Sequence, residues 1–333
     1  MPFGKAGKIP RIGPKLLEAI RNKHIFLKSA KTLIENAERK KIRIISYLDK
    51  DFPSRLKSYE DSPILLFAKG NIDLNPPRTV GVVGTRNATE YGKHITRQII
   101  DDLAPYQPTI ISGLAYGIDI EAHRAALQYN LPTIAILGSP VDRIYPAVHK
   151  QTSEAMMEKG GLLSEFKPGS EMVPGNFPQR NRVIASLSDA LIVVEAAKKG
   201  GALITAEIAY SYNKEVFAVP GNLQSPFSEG CNSLIRRMKA NIYMGGKDLE
   251  EALSWSKDDL KPSPVPLSDL LNNFDEELKP LIAVFIEQKT QEIDELSWKT
   301  QIPISTLASL LLHLEFQGVI KSLPGKKYQM ILK

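Results

Sequence analysis

Residues 79–113, TVGVVGTRNATEYGKHITRQIIDDLAPYQPTIISG, decide the fold. They open on an apolar, β-branched run (79–84), pass through a segment with helical spacing (90–104), and reach a second apolar run (109–113) that stops at a glycine. Strand, helix, strand is the unit of a parallel sheet, because a parallel neighbour is reached only through a crossover of a dozen or more residues. The alternation continues with TIAILG (133–138), GLLSEF (161–166), ALIVVEA (190–196), EVFAVPG (215–221) and ANIYM (240–244). Helical patterns fit between them at 117–129, 148–159, 177–187, 202–213 and 230–238. The strand runs are apolar throughout rather than alternating, which predicts a sheet covered on both faces. The expected class is therefore α/β, with an extended Rossmann-like parallel sheet core over residues 76–258. Several runs end in glycine, at the strand end where open α/β sheets receive their ligands.

Outward from this core, residues 1–75 read as a basic helical region with one apolar run, Ile64–Ala68, able to add a strand. Within it PRIGPKLLEAI (10–20) resembles half of a helix-hairpin-helix, with Arg11 in place of that motif's first glycine. Such a turn serves equally as a backbone-phosphate contact or as plain structure. On the other side, residues 259–268 form a linker whose KPSPVPLS (261–268) is rich in proline. Residues 269–333 then show helical patterns at 275–288, 292–299 and 303–316 and two β-rich pieces around Pro324-Gly325, which predicts a winged-helix module. Its third helix, ISTLASLLLHLEF, offers no Lys or Arg to a groove, so protein contact is the better expectation for it than DNA.

Across 333 residues, 43 Lys and Arg stand against 37 Asp and Glu, a net charge of +6, with an isoelectric point near 9.1. A surplus of this size favours a polyanionic partner without proving one. It is uneven: residues 1–58 are crowded with Lys and Arg, and Asp269–Glu295 leans acidic. The single cysteine, Cys231, leaves no internal disulfide or all-cysteine metal site and suits a reducing compartment. No apolar run approaches the ~18 residues of a membrane span, and the N-terminus shows no signal-peptide pattern. A cytoplasmic protein that does not enter the membrane is expected.

The chemistry concentrates at the strand ends. In GTRNAT (84–89), Gly84 supplies a tight turn, and Arg86 with the following N–H groups faces an anion; capping or pairing of Arg86 is the plainer alternative. In SGLAYGIDIEAHRAAL (112–127), Ser112, Gly113 and Gly117 clear space for a sugar-phosphate chain. Asp119 and His123 share a helix face there and raise a metal or acid–base pair, against a structural hydrogen-bonded brace. In FPQRNRVIASLSDALIVVEA (177–196), Arg180, Asn181 and Arg182 combine two guanidinium forks with an amide, although one arginine can instead bridge to Glu165 or Glu195. KKGGALITAEIA (198–209) adds Lys198 and Lys199 before a Gly-Gly turn into a helix, where Thr205 can bond within the turn. Tyr116, Tyr145, Phe177 and Phe227 are the aromatics near these loops, for stacking a base or packing on the sheet. Neither a dinucleotide fingerprint nor a phosphate-loop lysine motif is present, so no NAD, ATP or other cofactor and no metal is assigned.

Taken in order, VVGTR (82–86), SGLAYGIDIEAH (112–123), DRIYPAVH (142–149), GLLSEF (161–166), FPQRNRVIASLS (177–188), GGALITAEIA (200–209) and VFAVPG…GCNSLI (216–235) resemble the DNA processing protein A family, DprA or Smf, over nearly the whole chain. The resemblance implies a non-catalytic protein that binds single-stranded DNA, forms a homodimer, and helps load the RecA recombinase onto incoming strands during natural transformation. It places DNA or phosphate contacts on Gly84, Arg86, Ser112, Gly113, Arg180, Asn181 and Arg182; Lys150 and Lys198 join them from charge and loop position. Pro140 and Lys239 stand where the family usually carries glycine. The apolar stretches Val216–Val219 and Leu234–Ile242 are the expected self-association face.

Two other classes stay open from the residues. One is a nucleoside monophosphate glycosidase on a similar core, with Glu207 of GGALITAE (200–207) as its carboxylate; Ala202 and Leu203 stand where that class carries Gly-Thr. The other is a scaffold that senses a small nucleotide and signals through the C-terminal module.

Overall fold

The computed structural model describes residues 22–256, 278–287, 290–316, 319–323 and 325–330, with 13–15 and 18 besides. It divides into two compact units, Met1–Lys257 and Asp258–Lys333. The turn expected at 10–20 falls almost wholly outside the described residues, and the linker at 259–268 entirely so.

The first unit is built on a nine-stranded sheet. Its strands are β1 (Arg43–Ser46), β2 (Leu65–Gly70), β3 (Thr79–Val83), β4 (Thr109–Ser112), β5 (Thr133–Ile136), β6 (Gly161–Ser164), β7 (Ala190–Val193), β8 (Glu215–Ala218) and β9 (Asn241–Ile242). They lie in the order β1-β2-β6-β5-β4-β3-β7-β8-β9. From β3 to β9 every pairing is parallel, while β1 and β2 join antiparallel at the β6 edge. Five of the seven runs read as doubly covered are so, every residue of β3, β4, β5, β6 and β7 being buried, whereas β8 begins on a half-buried residue and both residues of the edge strand β9 are exposed.

Pleating sends alternate side chains to opposite faces of the sheet, where two large clusters form beside a smaller one that takes Phe67, Ala135 and Leu162. Val80, Val82, Ile110 and Ile192 pack with Ile99, Ile100 and Leu103 of helix α3 (Glu90–Leu103) and with Ile118, Ala122 and Ala125 of helix α4 (Ile118–Gln128). Val83, Ile111, Leu191 and Val193 face the other way. There they meet Val183, Ile184 and Leu187 of helix α6 (Asn176–Leu187) and Ala202, Ala206 and Ala209 of helix α7 (Gly201–Ser211). Alanines on the buried face of α7 let it lie close to the sheet, which brings its first turn to the strand ends.

Residues 1–75, expected to be helical apart from one possible strand, hold helix α1 (Lys23–Arg39), the short helix α2 (Ser54–Lys57) and both antiparallel strands. The sheet thus extends across the expected boundary at 75/76. β1 is only RIIS between charged neighbours and carries no readable alternation; its pairing from Arg43↔Ala68 to Ser46↔Leu65 makes it a strand. Arg55 of α2 ties this flank to the core through Asp189, at 2.8 and 2.9 Å. Between β5 and β9 lie two further helices, α5 (Lys150–Ala155) and α8 (Glu229–Arg236), and α9 (Gly246–Leu253) closes the unit.

The second unit is a winged helix. Helices α10 (Lys279–Glu287), α11 (Ile293–Thr300) and α12 (Ile304–Phe316) bury Leu281, Ile282, Phe285, Leu296, Leu307, Leu311 and Leu314 together. The hairpin β11 (Ile320–Leu323) and β12 (Lys327–Met330) is joined by a strand that the sequence does not announce, β10 (Thr290–Glu292). No described helix of either unit is long and apolar enough to cross a membrane.

Candidate functional site at the switch point of the sheet

The chain runs β3, β4, β5, β6 outward in one direction, then returns through α6 to lay β7 on the other side of β3. Loops leaving β3 and β7 therefore diverge, and a crevice opens at their carboxyl ends. A cleft of about 370 Å³ occupies it, lined by Gly84, Thr85 and Arg86 after β3, by Phe177, Arg180 and Asn181 of α6, and by Lys199, Gly200 and Gly201 at the start of α7.

Two glycines let the walls meet. A Cβ on Gly84 would collide with Ile118, the first residue of α4, and one on Gly117 would strike the Thr85 carbonyl. Gly117 also has φ +78, a conformation in which an L side chain is strained. The contact they permit includes a hydrogen bond from the Ile118 N–H to the Thr85 carbonyl, 3.2 Å.

The candidates divide sharply by environment. Arg86 is exposed on the cleft wall, with no hydrogen bond or ion pair to any other described residue. Lys199 is likewise exposed and unpaired among the described residues, and it, rather than Lys198, lines the cleft. Lys198 points to a separate groove and lies 3.5 Å from Glu229. Lys150 sits outside the cleft on α5, exposed, 3.9 Å from Glu154.

Arg180 is 5% exposed. Its Nη1 donates to the carbonyls of Gly113, at 2.8 Å, and Ile136, so it cross-links the ends of β4 and β5 from α6. Burial brings its pKa down to about 10, against the pull of Asp119, and it stays charged at neutral pH. Asp119 is buried beside it and accepts the Gly113 N–H at 3.1 Å; burial raises its carboxyl and the Arg180 charge works against that rise. Gly113 has no room for a side chain between these two groups. Ser112 is wholly buried, its hydroxyl donating to the Val82 carbonyl at 2.6 Å. Arg182 faces away from the cleft and bridges to Glu165 at 2.5 Å, the first of its two alternative partners. Asn181 lines the cleft and spans to the Gly201 carbonyl at 3.4 Å, holding α6 to the start of α7.

Of the residues behind the enzyme readings, Asp119 lines the cleft beside Arg180, while His123 and Glu207 are not among its lining residues. His123 is fully buried, and its Nδ1 pairs with the Thr133 hydroxyl at 2.7 Å, not with Asp119. Burial drives its pKa to about 3, so the ring is neutral. Glu207 lies on the exposed side of α7 and pairs with Lys239 at 2.5 Å. Of the aromatics, Phe177 lines the cleft with Tyr145 beside it, ring centroids 5.5 Å apart. Tyr116 and Tyr145 remain 49% and 44% exposed, and so are not consumed by packing.

The cleft is thus cationic at its rim and braced by buried groups beneath. The helix α7 N-terminus opens onto it with no acidic residue in its first turn, and Asp119, which also lines the cleft, lies beside the Arg180 charge. Fold and site together define a Rossmann-like protein with a cationic switch-point cleft and an appended winged helix. The family model for DNA recombination-mediator protein A matches residues 43–254, and that for the DprA winged helix domain matches 261–326. A Smf protein of Synechocystis is 32% identical over 97% of this chain and 88% of its own length. The crystal structure of DNA processing protein A from Streptococcus pneumoniae superposes with a TM-score of 0.67 at 34% identity, covering 75% of this chain and 86% of that one. That of the Helicobacter pylori protein, described for its single-stranded DNA binding mode, gives 0.58 at 29% identity, covering 64% and 95%. The chain belongs to the DNA recombination-mediator protein A family, DprA or Smf.

Proposed function

We propose that this protein binds single-stranded DNA along the carboxyl edge of its parallel sheet and, in the cytoplasm, helps load RecA onto that strand during DNA uptake, without making or breaking a bond. The observation that carries the reading is the pair of unengaged cations, Arg86 and Lys199, facing one cleft at the α7 N-terminus. A sugar-phosphate chain supplies the closely spaced anions such a rim suits. The Helicobacter pylori relative, described as binding single-stranded DNA, supports the choice of ligand. Glu207 and His123 are engaged outside the cleft lining, and Asp119, which does line the cleft, is buried beside Arg180 and accepts the Gly113 N–H, so this reading gives it a bracing role.

Buried Arg180 and bridged Arg182 act in this reading as braces, and Gly84, Ser112, Gly113 and Asn181 shape the wall. Lys150 and Lys198 contribute from outside the cleft. Fluorescence anisotropy of a labelled oligonucleotide across a salt series tests the proposal: the logarithm of the affinity should fall linearly with log salt, and absence of salt-sensitive binding overturns it. RecA pull-down and filament assembly with this protein test the loading step.

We read the protein as a homodimer. Val216–Val219 lies inside the sheet, whereas Met238, Ile242 and Met244 around the β9 edge are exposed and offer apolar surface. Light scattering over a concentration series decides it, and a monomer throughout would remove the dimer.

A further inference from the structure

Arg86 rides on the arm between β3 and α3 and makes no hydrogen bond or ion pair with any other described residue, so the arm itself must fix where its charge sits. The arm is fastened at both ends to a single residue. The Thr85 N–H donates to the Glu195 carbonyl at 2.7 Å. At the other end Glu195 Oε2 accepts the Thr89 N–H at 3.0 Å, and Oε1 accepts the Thr89 hydroxyl at 2.6 Å. The same hydroxyl accepts the Gly92 N–H at 3.1 Å and so caps α3. Glu195 is 4% exposed, and a Cβ on Gly92 would run into its carboxylate.

A buried carboxylate is costly unless hydrogen-bonded, and among the described residues this one has no ion pair. Its compensation is the Thr89 pair of donors and the positive end of α3. Placed beside a cationic cleft, its charge by itself would repel an anion. We propose that Glu195 is a positioning residue for the DNA site: with Thr85 already held on its main-chain carbonyl, its carboxylate grips Thr89 and so holds the arm where Arg86 meets a phosphate. This rests on the single-strand reading above.

Charge and position predict opposite signs. If Glu195 acted only as a nearby negative charge, Glu195→Gln would strengthen DNA binding. As a positioning group, the substitution replaces one of two acceptors with a donor facing Thr89, and binding weakens. Oligonucleotide anisotropy on Glu195→Gln, Thr89→Val and Thr89→Ser, each with and without Arg86→Ala, separates the two. Expected are a roughly tenfold loss for Glu195→Gln and Thr89→Val, a salt slope reduced by about one, near wild-type binding for Thr89→Ser, and no further loss once Arg86 is gone. Equal or tighter binding by Glu195→Gln, or the same loss with and without Arg86, overturns the proposal. If Glu195→Gln does not fold, Thr89→Val carries the test. Should the wild type not bind DNA, the functional reading falls. Hydrogen exchange at the Thr89 amide still judges the Glu195 carboxylate, since unchanged protection in Glu195→Gln would show that it does not hold the arm.

Discussion

Arg180 and Arg182 stand two residues apart on α6, and the helix turns them to different work. One cross-links strand ends from the interior, the other bridges to Glu165. Removing Arg180 leaves Asp119 buried without its counter-charge, so Arg180→Met should cost about 3–5 kcal/mol in urea unfolding. Arg86 and Lys199 carry the opposite signature. Arg86→Ala and Lys199→Ala should each weaken binding of all oligonucleotide sequences alike and lower the salt slope by about one, with Lys198→Ala changing it less. His123 gives a pH prediction. The Thr133 hydroxyl donates its proton to the Ile110 carbonyl, so His123 must donate from Nδ1, leaving Nε2 bare and buried. Its folded pKa, about 3, lies below the unfolded value of 6.5. The unfolded chain therefore binds the extra proton between these limits. Stability from this group is full above pH 6.5 and falls by up to about 1.4 kcal/mol per unit toward pH 3. Denaturant midpoints at stepped pH should show this slope, and His123→Asn should flatten it.

At the scale of elements, the site depends on how closely α4 approaches the end of β3. Gly117 combines positive φ with contact against the Thr85 carbonyl, so Gly117→Ala should both strain the turn and push the Ile118 N–H off Thr85. A melting temperature lowered by several degrees together with weaker DNA binding is expected, and normal values for both would show that the turn is slack. The elements were largely legible, because β3 to β8 are unbroken apolar runs between helical patterns. β1 and β10 were not. RIIS and TQE hold no alternation of their own, and each is a strand only because a partner, β2 or β12, supplies its ladder.

For the molecule as a whole, the first unit has three hydrophobic clusters of its own and holds the entire cleft, while the winged helix has a separate core. Helix α12 presents exposed Ile304 and Leu312 and carries no Lys or Arg. A chain ending at Lys257 should therefore fold cooperatively and keep the salt slope of oligonucleotide binding; a drop of two or more charges would assign DNA contact to the second unit.

The sequence by itself determined the α/β class and the kinship of the chain, and pointed to the strand ends as the candidate site, because apolar periodicity and ordered glycine-bearing motifs are local in sequence. It could not rank the cations. Lys198 and Lys199 are identical neighbours, and Arg180, Arg182 and Arg86 are alike in type. Only the tertiary structure decided that Lys199 and Arg86 face the cleft while Arg180 is buried and Arg182 is paired. It also decided that Glu195, far from Thr89 along the chain, grips the arm. Burial and pairing depend on which strand ends and helix faces meet, and those meetings are set by packing between segments that the chain keeps far apart.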